Sequence, residues 1–238
     1  VSISHDQVAA AVGSGVFDET CAVDGAGTVE CITPVFENYD PMEMAASGYA
    51  IVPYITPGKY VCYAFSFTGG ALVDWYTKTL AGYARQESEK TGQDIHTILE
   101  SCYADAPTGL LVLPHFAGAA TPYMDPGSKG AIIGLSVENT QQDIYLGCME
   151  GVVYEMRLNM DKLREAGVTV KALRATGGGA RSKVWMQMKA DILNIPVTAL
   201  RSEEAGAAGS AMLVGIAVGA FANLEEAARI MVVPRDTY

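Results

Sequence analysis

Cysteine, histidine and positive charge are all scarce in this 238-residue chain, and each scarcity removes a class of function. Five cysteines, at 21, 31, 62, 102 and 148, form no CxxC pair, and only three histidines accompany them. That pattern argues against a zinc site and against a disulfide framework. Scattered thiols fit a reducing, cytoplasmic setting in which each is a small apolar core residue. Sixteen Lys and Arg against 27 Asp and Glu leave a formal net charge of −11 and no basic run, so nucleic acid has nothing to grip. Small anions stay admissible, because backbone N–H groups at glycine turns and helix starts hold phosphate whatever the net charge. One long uncharged stretch, Ala205 to Ala222, carries Gly215 and Gly219 at GxxxG spacing. Its small residues and its lack of a basic flank predict a buried helix and no membrane span. The opening Val1-Ser2-Ile3-Ser4-His5 has neither an initiator Met nor a leader, and reads as a start within a longer protein.

With 50% apolar and 18% charged residues, the chain can fill a core of about 1.6 typical domains. The first hundred residues read mainly as strands, at Thr28 to Phe36, Gly48 to Tyr54 and Lys59 to Phe67, with Thr56-Pro57-Gly58 as a turn. Cys21-Ala22-Val23 and Thr28 to Cys31 flank Asp24-Gly25-Ala26-Gly27, which predicts a hairpin with a glycine-rich tip. From Gly70 the spacing of Leu72, Val73, Trp75, Tyr76 and Leu80 turns helical, and that of Ile95, Ile98, Leu99 and Cys102 does so again. A short strand at Leu110 to Leu113 precedes an irregular loop from His115 to Gly134. The longest helix runs from Thr140 to Ala166 and stops at Gly167. Strand Val170 to Leu173, a glycine loop, helix Arg181 to Leu193, strand Pro196 to Leu200 and the Ala205 helix complete an α/β alternation.

Three polar segments can carry chemistry. Asp6-Gln7 reads either as a helix N-cap or as a catalytic carboxylate with its neighbour. Gly25-Ala26-Gly27-Thr28 reads as a hairpin tip or as a nest of backbone donors, with a hydroxyl, for terminal phosphates. Gly177-Gly178-Gly179-Ala180-Arg181-Ser182 lets backbone approach a flat ligand just ahead of a helix start. It is neither a Walker A loop nor a Rossmann fingerprint. No GxSxG elbow is present. His115 reads as a hydrogen-bonded loop residue, and His96 as solvated.

Taken in order, these segments resemble the C-terminal half of the FGGY carbohydrate kinases, of xylulokinase-like type. Gly130-Ala131-Ile132-Ile133-Gly134-Leu135, Asp143-Ile144 and Cys148-Met149-Glu150 follow the spacing of the family's second signature. Gly177 to Ser182, Trp185 and Ala190-Asp191 are similar to its adenosine-binding segment, and His5-Asp6-Gln7 to its GHDQ-like motif. The resemblance implies a ribonuclease H-like fold of the actin/Hsp70/sugar kinase type, a mixed sheet flanked by helices. It implies residues 1–19 as the end of an N-terminal sugar-binding domain and 20–238 as a C-terminal ATP-binding domain.

It further implies Asp6 as general base and Gln7 beside the sugar. Gly27 and Thr28 would face the β- and γ-phosphates, and Gly70 and Asp74 the phosphate and ribose. Gly178, Gly179 and Lys183 would lie on the adenine side. ATP with Mg²⁺ and a sugar or polyol are the implied ligands, and the remainder of the protein the implied partner. Self-association as a homodimer, through apolar surface left where that partner packs, is a further expectation. The fragment alone is expected to be inactive. The competing reading is a non-catalytic nucleotide-binding module of the actin-like ATPases, in which Asp6 has no role.

Overall fold

The structure, a computed structural model, describes residues 5–238. The expected extended start at residues 1–4 lies outside the described residues. Helix α1 (Asp6–Gly13) leads into a hairpin of β1 (Ala22–Ala26) and β2 (Glu30–Phe36), then α2 (Pro41–Ala46), β3 (Ile51–Pro53), β4 (Tyr60–Cys62) and β5 (Ala64–Ser66). Helices α3 (Gly70–Thr79), α4 (Gly82–Thr91) and α5 (Ile95–Glu100) follow, then a ribbon of β6 (Leu111–Leu113) and β7 (Ala131–Ile133), then α6 (Gln141–Glu165). The last third alternates β8 (Leu173–Thr176), α7 (Lys183–Leu193), β9 (Val197–Leu200), α8 (Ala205–Ala217), α9 (Leu224–Met231) and β10 (Pro234–Thr237).

The main sheet runs β10-β9-β8-β1-β2-β4-β3, with β5 also on β2. Strand β1 is parallel to β8, and β8 to β9, whereas β1 and β2 are antiparallel. All seven residues of β2 are buried, which requires helices on both faces. Ala22 and Ile32 face a core built with α6 and α7, while Val23 and Val35 face a second core built with α1, α8 and α9.

Helix α6 starts at a Thr140–Asp143 capping box and stops before Gly167 at φ +87°, as its sequence predicts. Several expectations need correction. The strand expected at Val170 begins at Leu173, where pairing with Ala22 and Val197 sets the register. The loop from His115 to Gly134 ends in β7, because Ala131–Ile133 supplies the partner that β6 needs. The Ala205 helix stops at Ala217 and buries only a stripe of Ala205, Gly209, Met212 and Gly215, leaving Val218 exposed. No described helix is long and apolar enough to cross a membrane. His96, expected to be solvated, is half-buried with Nδ1 2.9 Å from the Tyr145 hydroxyl.

The His115 segment is pinned to α6 by buried polar groups. His115 meets Ser128 Oγ at 2.7 Å through Nδ1 and Glu155 Oε2 at 3.2 Å through Nε2. Asn159 donates to the Thr121 carbonyl at 2.9 Å and accepts from the Tyr49 hydroxyl at 3.0 Å. Burial pushes the Glu155 carboxyl up to about 7 from its ordinary 4.5 and pushes the His115 imidazole down. The folded chain therefore holds a proton on Glu155 that the unfolded chain gives up from about pH 4.5. Glu155's contribution to stability is complete below that value and is lost as pH rises toward 7. The contribution of His115 has the opposite sign, growing with pH up to its ordinary 6.5. Glu155→Gln is expected to match the wild type in denaturant midpoint at about pH 5 and to exceed it at about pH 8. Equal midpoints at the higher pH would refute the assignment.

Candidate functional site

Parallel strands β8 and β9 lie side by side, yet the chain leaves them toward opposite faces. After β8 it passes through Gly177 and a 3-10 turn (Gly178–Arg181) into α7, on the face covered by α6. After β9 it enters α8, on the face covered by α1. Divergence of this kind opens a crevice at the carboxyl ends of the strands, where α/β sheets bind ligands. Thr176 Oγ1 donates to the Ser202 carbonyl across it at 2.9 Å. Strand β1 is parallel to β8, so the hairpin tip Gly27–Val29 stands at the same end.

The tip and the glycine loop touch. A Cβ on Gly177, whose φ is +92°, would lie 2.6 Å from the Ala26 carbonyl oxygen, and one on Gly179 would lie 3.0 Å from Ala26 Cβ. Gly177 is therefore required for packing, and Gly179 leaves only tight space for a side chain. Gly178 differs, since a Cβ there would meet nothing within 4 Å. On the other side of the tip, the first turn of α3 docks through backbone. Gly69 and Ala71 N–H donate to the Thr28 carbonyl at 3.1 and 3.0 Å, and Gly70 N–H to the Gly27 carbonyl at 2.8 Å. A Cβ on Gly70 would stand 2.7 Å from that oxygen. Gly70 thus holds the tip, and its amide is already used. Among the described residues no acceptor meets the N–H groups of Thr28, Gly178 or Gly179. Two adjoining loops accordingly present unpaired backbone donors, the arrangement that suits an anion.

Asp6 and Gln7 open α1 at some remove. The Asp6 carboxylate is largely exposed, accepts the Gln7 N–H at 2.7 Å and lies 2.9 Å from His5 Nδ1. His5 in turn stacks on Tyr63 and meets its hydroxyl at 2.9 Å. Gln7 Oε1 accepts from Thr33 Oγ1 of β2 at 3.3 Å. Thr33 is five positions beyond Thr28, at most roughly 17 Å along an extended strand. The Asp6 carbonyl oxygen would lie 3.7 Å from a Cβ on Gly206, in the first turn of α8. Asp6 therefore flanks the crevice from the α1–α8 face, whereas the glycine loop flanks it from the α7 face. No described contact joins the two directly. Asp74 is exposed and paired with Lys78 at 3.3 Å, and Lys183 is exposed at the first position of α7.

Some groups at this end are absent from the sequence expectations. Ser182 caps α7 by accepting the Trp185 N–H and donates to Glu100 Oε1 at 2.7 Å, tying the glycine loop to α5. Arg181 makes a two-pronged pair with Glu203 at 2.5 and 2.7 Å. Beneath the hairpin, Lys189 bonds Asp24 and Glu30, all three at most 2% exposed. The signal for this cluster was the pair of acids in an otherwise apolar hairpin, together with a lysine four positions after Trp185. A shallow depression of about 500 Å³ lies elsewhere, lined by Asn38 to Pro41 and Glu165 to Gly167. Among the described residues no cluster of three His, Cys, Asp or Glu side chains could hold a metal ion.

Comparison with known proteins agrees with this geometry. The chain matches the model of the C-terminal domain of the FGGY family of carbohydrate kinases over residues 26–218. It is 27% identical over 220 residues to the xylulose kinase of Staphylococcus epidermidis, an alignment covering 92% of this chain and 42% of that one. Its fold is similar to the crystal structure of xylulose kinase from Rhodospirillum rubrum, with a TM-score of 0.82 at 24% identity over 99% of this chain and 46% of that one. It is also similar to Plasmodium falciparum glycerol kinase with ADP, with a TM-score of 0.78 at 22% identity over 98% and 45%. The chain thus spans less than half the length of the relatives it matches.

Proposed function

This chain belongs to the FGGY family of carbohydrate kinases, as its C-terminal domain, and we propose that the protein carrying it phosphorylates a hydroxyl of a xylulose-like ketose or a polyol, using ATP. The observation that carries this reading is the contact of the hairpin tip with the glycine loop at the strand ends, with the amides of Thr28, Gly178 and Gly179 unpaired. Phosphoryl transfer asks a protein mainly for positioning and charge stabilisation, plus one acceptor for the nucleophile's proton.

In this reading Gly27 and Thr28 face the β- and γ-phosphates, with Thr28 supplying the amide because the Gly27 N–H is spent on the Val29 carbonyl at 3.1 Å, and Gly70 fixes the tip from behind. Gly178 and Gly179 lie along the adenine side with Lys183, and Asp74 reaches toward the ribose. The sugar hydroxyl attacks the γ-phosphorus, its proton passes to Asp6, and the bond to the β-phosphate oxygen breaks to release ADP. Gln7 lies beside the sugar. Mg²⁺ would be held chiefly by the phosphates and water, since among the described residues no cluster of three His, Cys, Asp or Glu side chains could hold it. Residues 1–19 would close an N-terminal sugar-binding domain, residues 20–238 would form the ATP-binding domain, and the 238-residue chain alone would transfer little or no phosphate.

The test is a coupled assay of ADP release by the full-length protein with a panel of ketoses and polyols. Sugar-dependent turnover supports the reading, and its absence across the panel refutes it. Gly178→Val probes the nucleotide side separately. Space around Gly178 predicts a stability change within about 0.5 kcal/mol. The added side chain is expected to weaken Mg·ADP binding about tenfold or more by titration calorimetry. Unchanged affinity would place the ligand elsewhere.

A further inference from the structure

Three ionisable groups sealed beneath the hairpin take no part in the steps above. Asp24 lies on β1, and Glu30 opens β2 directly after the tip. Lys189 reaches up from α7, with Nζ 2.6 Å from Asp24 Oδ2 and in contact with Glu30 Oε1. It lies six positions beyond Lys183, about 9 Å along the helix that descends from the glycine loop. The second oxygen of Glu30 has no partner among the described residues. It lies 3.1 Å from where a Cβ on Gly69 would stand, against the residue that docks α3 to Thr28. One cluster therefore touches both arms of the hairpin, the helix behind the glycine loop and the start of α3.

We propose that Lys189, with Asp24 and Glu30, is a positioning clamp that fixes the hairpin tip against the glycine loop and so sets nucleotide affinity, an inference that rests on the nucleotide-binding reading.

Fold stability alone does not account for such a cluster, because well-packed apolar residues replace buried ion pairs at little or no cost. Charge-assisted hydrogen bonds add short, directional constraints that apolar packing lacks. Burial, and then the Asp24 charge, hold the Glu30 carboxyl well above the usual carboxylate range.

The test uses the full-length protein, with denaturation midpoints, calorimetric titration with Mg·ADP and steady-state KM for the sugar. Lys189→Met alone is expected to lose stability, because it leaves Asp24 buried and unpaired. The triple variant D24N/E30Q/K189M removes every charge and is expected to regain most of the wild-type midpoint. Its Kd for Mg·ADP should still be raised about tenfold or more, while KM for the sugar stays within about twofold. A triple variant that binds Mg·ADP within about twofold of wild type overturns the clamp. So does one that stays as unstable as K189M, since the charges then serve the fold itself. Wild-type protein that fails to bind Mg·ADP removes the nucleotide reading and the clamp with it, whereas wild-type binding without a loss in the triple variant removes the clamp alone.

Discussion

Asp6→Asn in the full-length protein is expected to lower kcat by about 10²- to 10⁴-fold, the usual contribution of a positioned general base. Its effect on Mg·ADP affinity should be small. The substitution is mild for the fold: the carboxylate is largely exposed and its internal role is to accept the Gln7 N–H, which the asparagine carbonyl can take over. Asparagine cannot receive the proton of the attacking hydroxyl, so the deficit falls on transfer. A kinase with unimpaired turnover after this change would contradict the assignment of the base. Under the competing reading, a non-catalytic module, sugar-dependent turnover is absent from the start.

Gly209→Ala is expected to be the most damaging small substitution for stability. Alanine is the better helix former by about 1 kcal/mol, so on propensity alone the change would stabilise α8. Packing reverses the sign. A Cβ on Gly209 would lie 1.8 Å from the Ala9 carbonyl oxygen, and a Cβ on Gly13 would lie 1.9 Å from the Ala205 carbonyl oxygen. No such contact can exist, so α1 and α8 must separate and expose Val8, Val12 and Met212. A loss of about 3 kcal/mol, the upper end of overpacking costs, corresponds to a melting temperature lower by roughly 6–12 °C for a domain of this size. Gly13→Ala acts on the same crossing, so the double variant should fall short of the sum of the singles. A melting temperature raised by Gly209→Ala would show that the helices cross elsewhere. Because α1 carries the proposed base Asp6 and α8 starts beside the crevice, this crossing also fixes where that carboxylate sits.

Much of this was legible in the residues. The Thr140–Asp143 box and Gly167 bounded α6, and Gly177 to Ser182 announced one of the two loops that meet at the strand ends, whereas the hairpin tip expected at Asp24 to Gly27 falls at Gly27–Val29, because Gly25 and Ala26 pair with Cys31 and Glu30. What stayed hidden depends on the third dimension. Local pattern could not show that Gly177 and Gly179 serve packing while Gly178 faces open space, because the distinction lies in Ala26, some 150 positions away. Nor could it show that the Gly70 amide is spent on the Gly27 carbonyl. The Lys189 cluster escaped for the same reason: a lone lysine at helical spacing normally reads as a solvated face. β7 was absorbed into a loop because three residues between Gly130 and Gly134 are too short to carry a period. The partial exposure of α8 was missed because its small residues mask a one-sided stripe.

Backbone hydrogen exchange on the full-length protein, with and without Mg·ADP, tests the central claim most directly. The account predicts that the amides of Thr28, Gly178 and Gly179 slow together when nucleotide binds, with no matching change at Asn38–Pro41. Slowing in only one of the two loops, or at the Asn38–Pro41 depression instead, would contradict it.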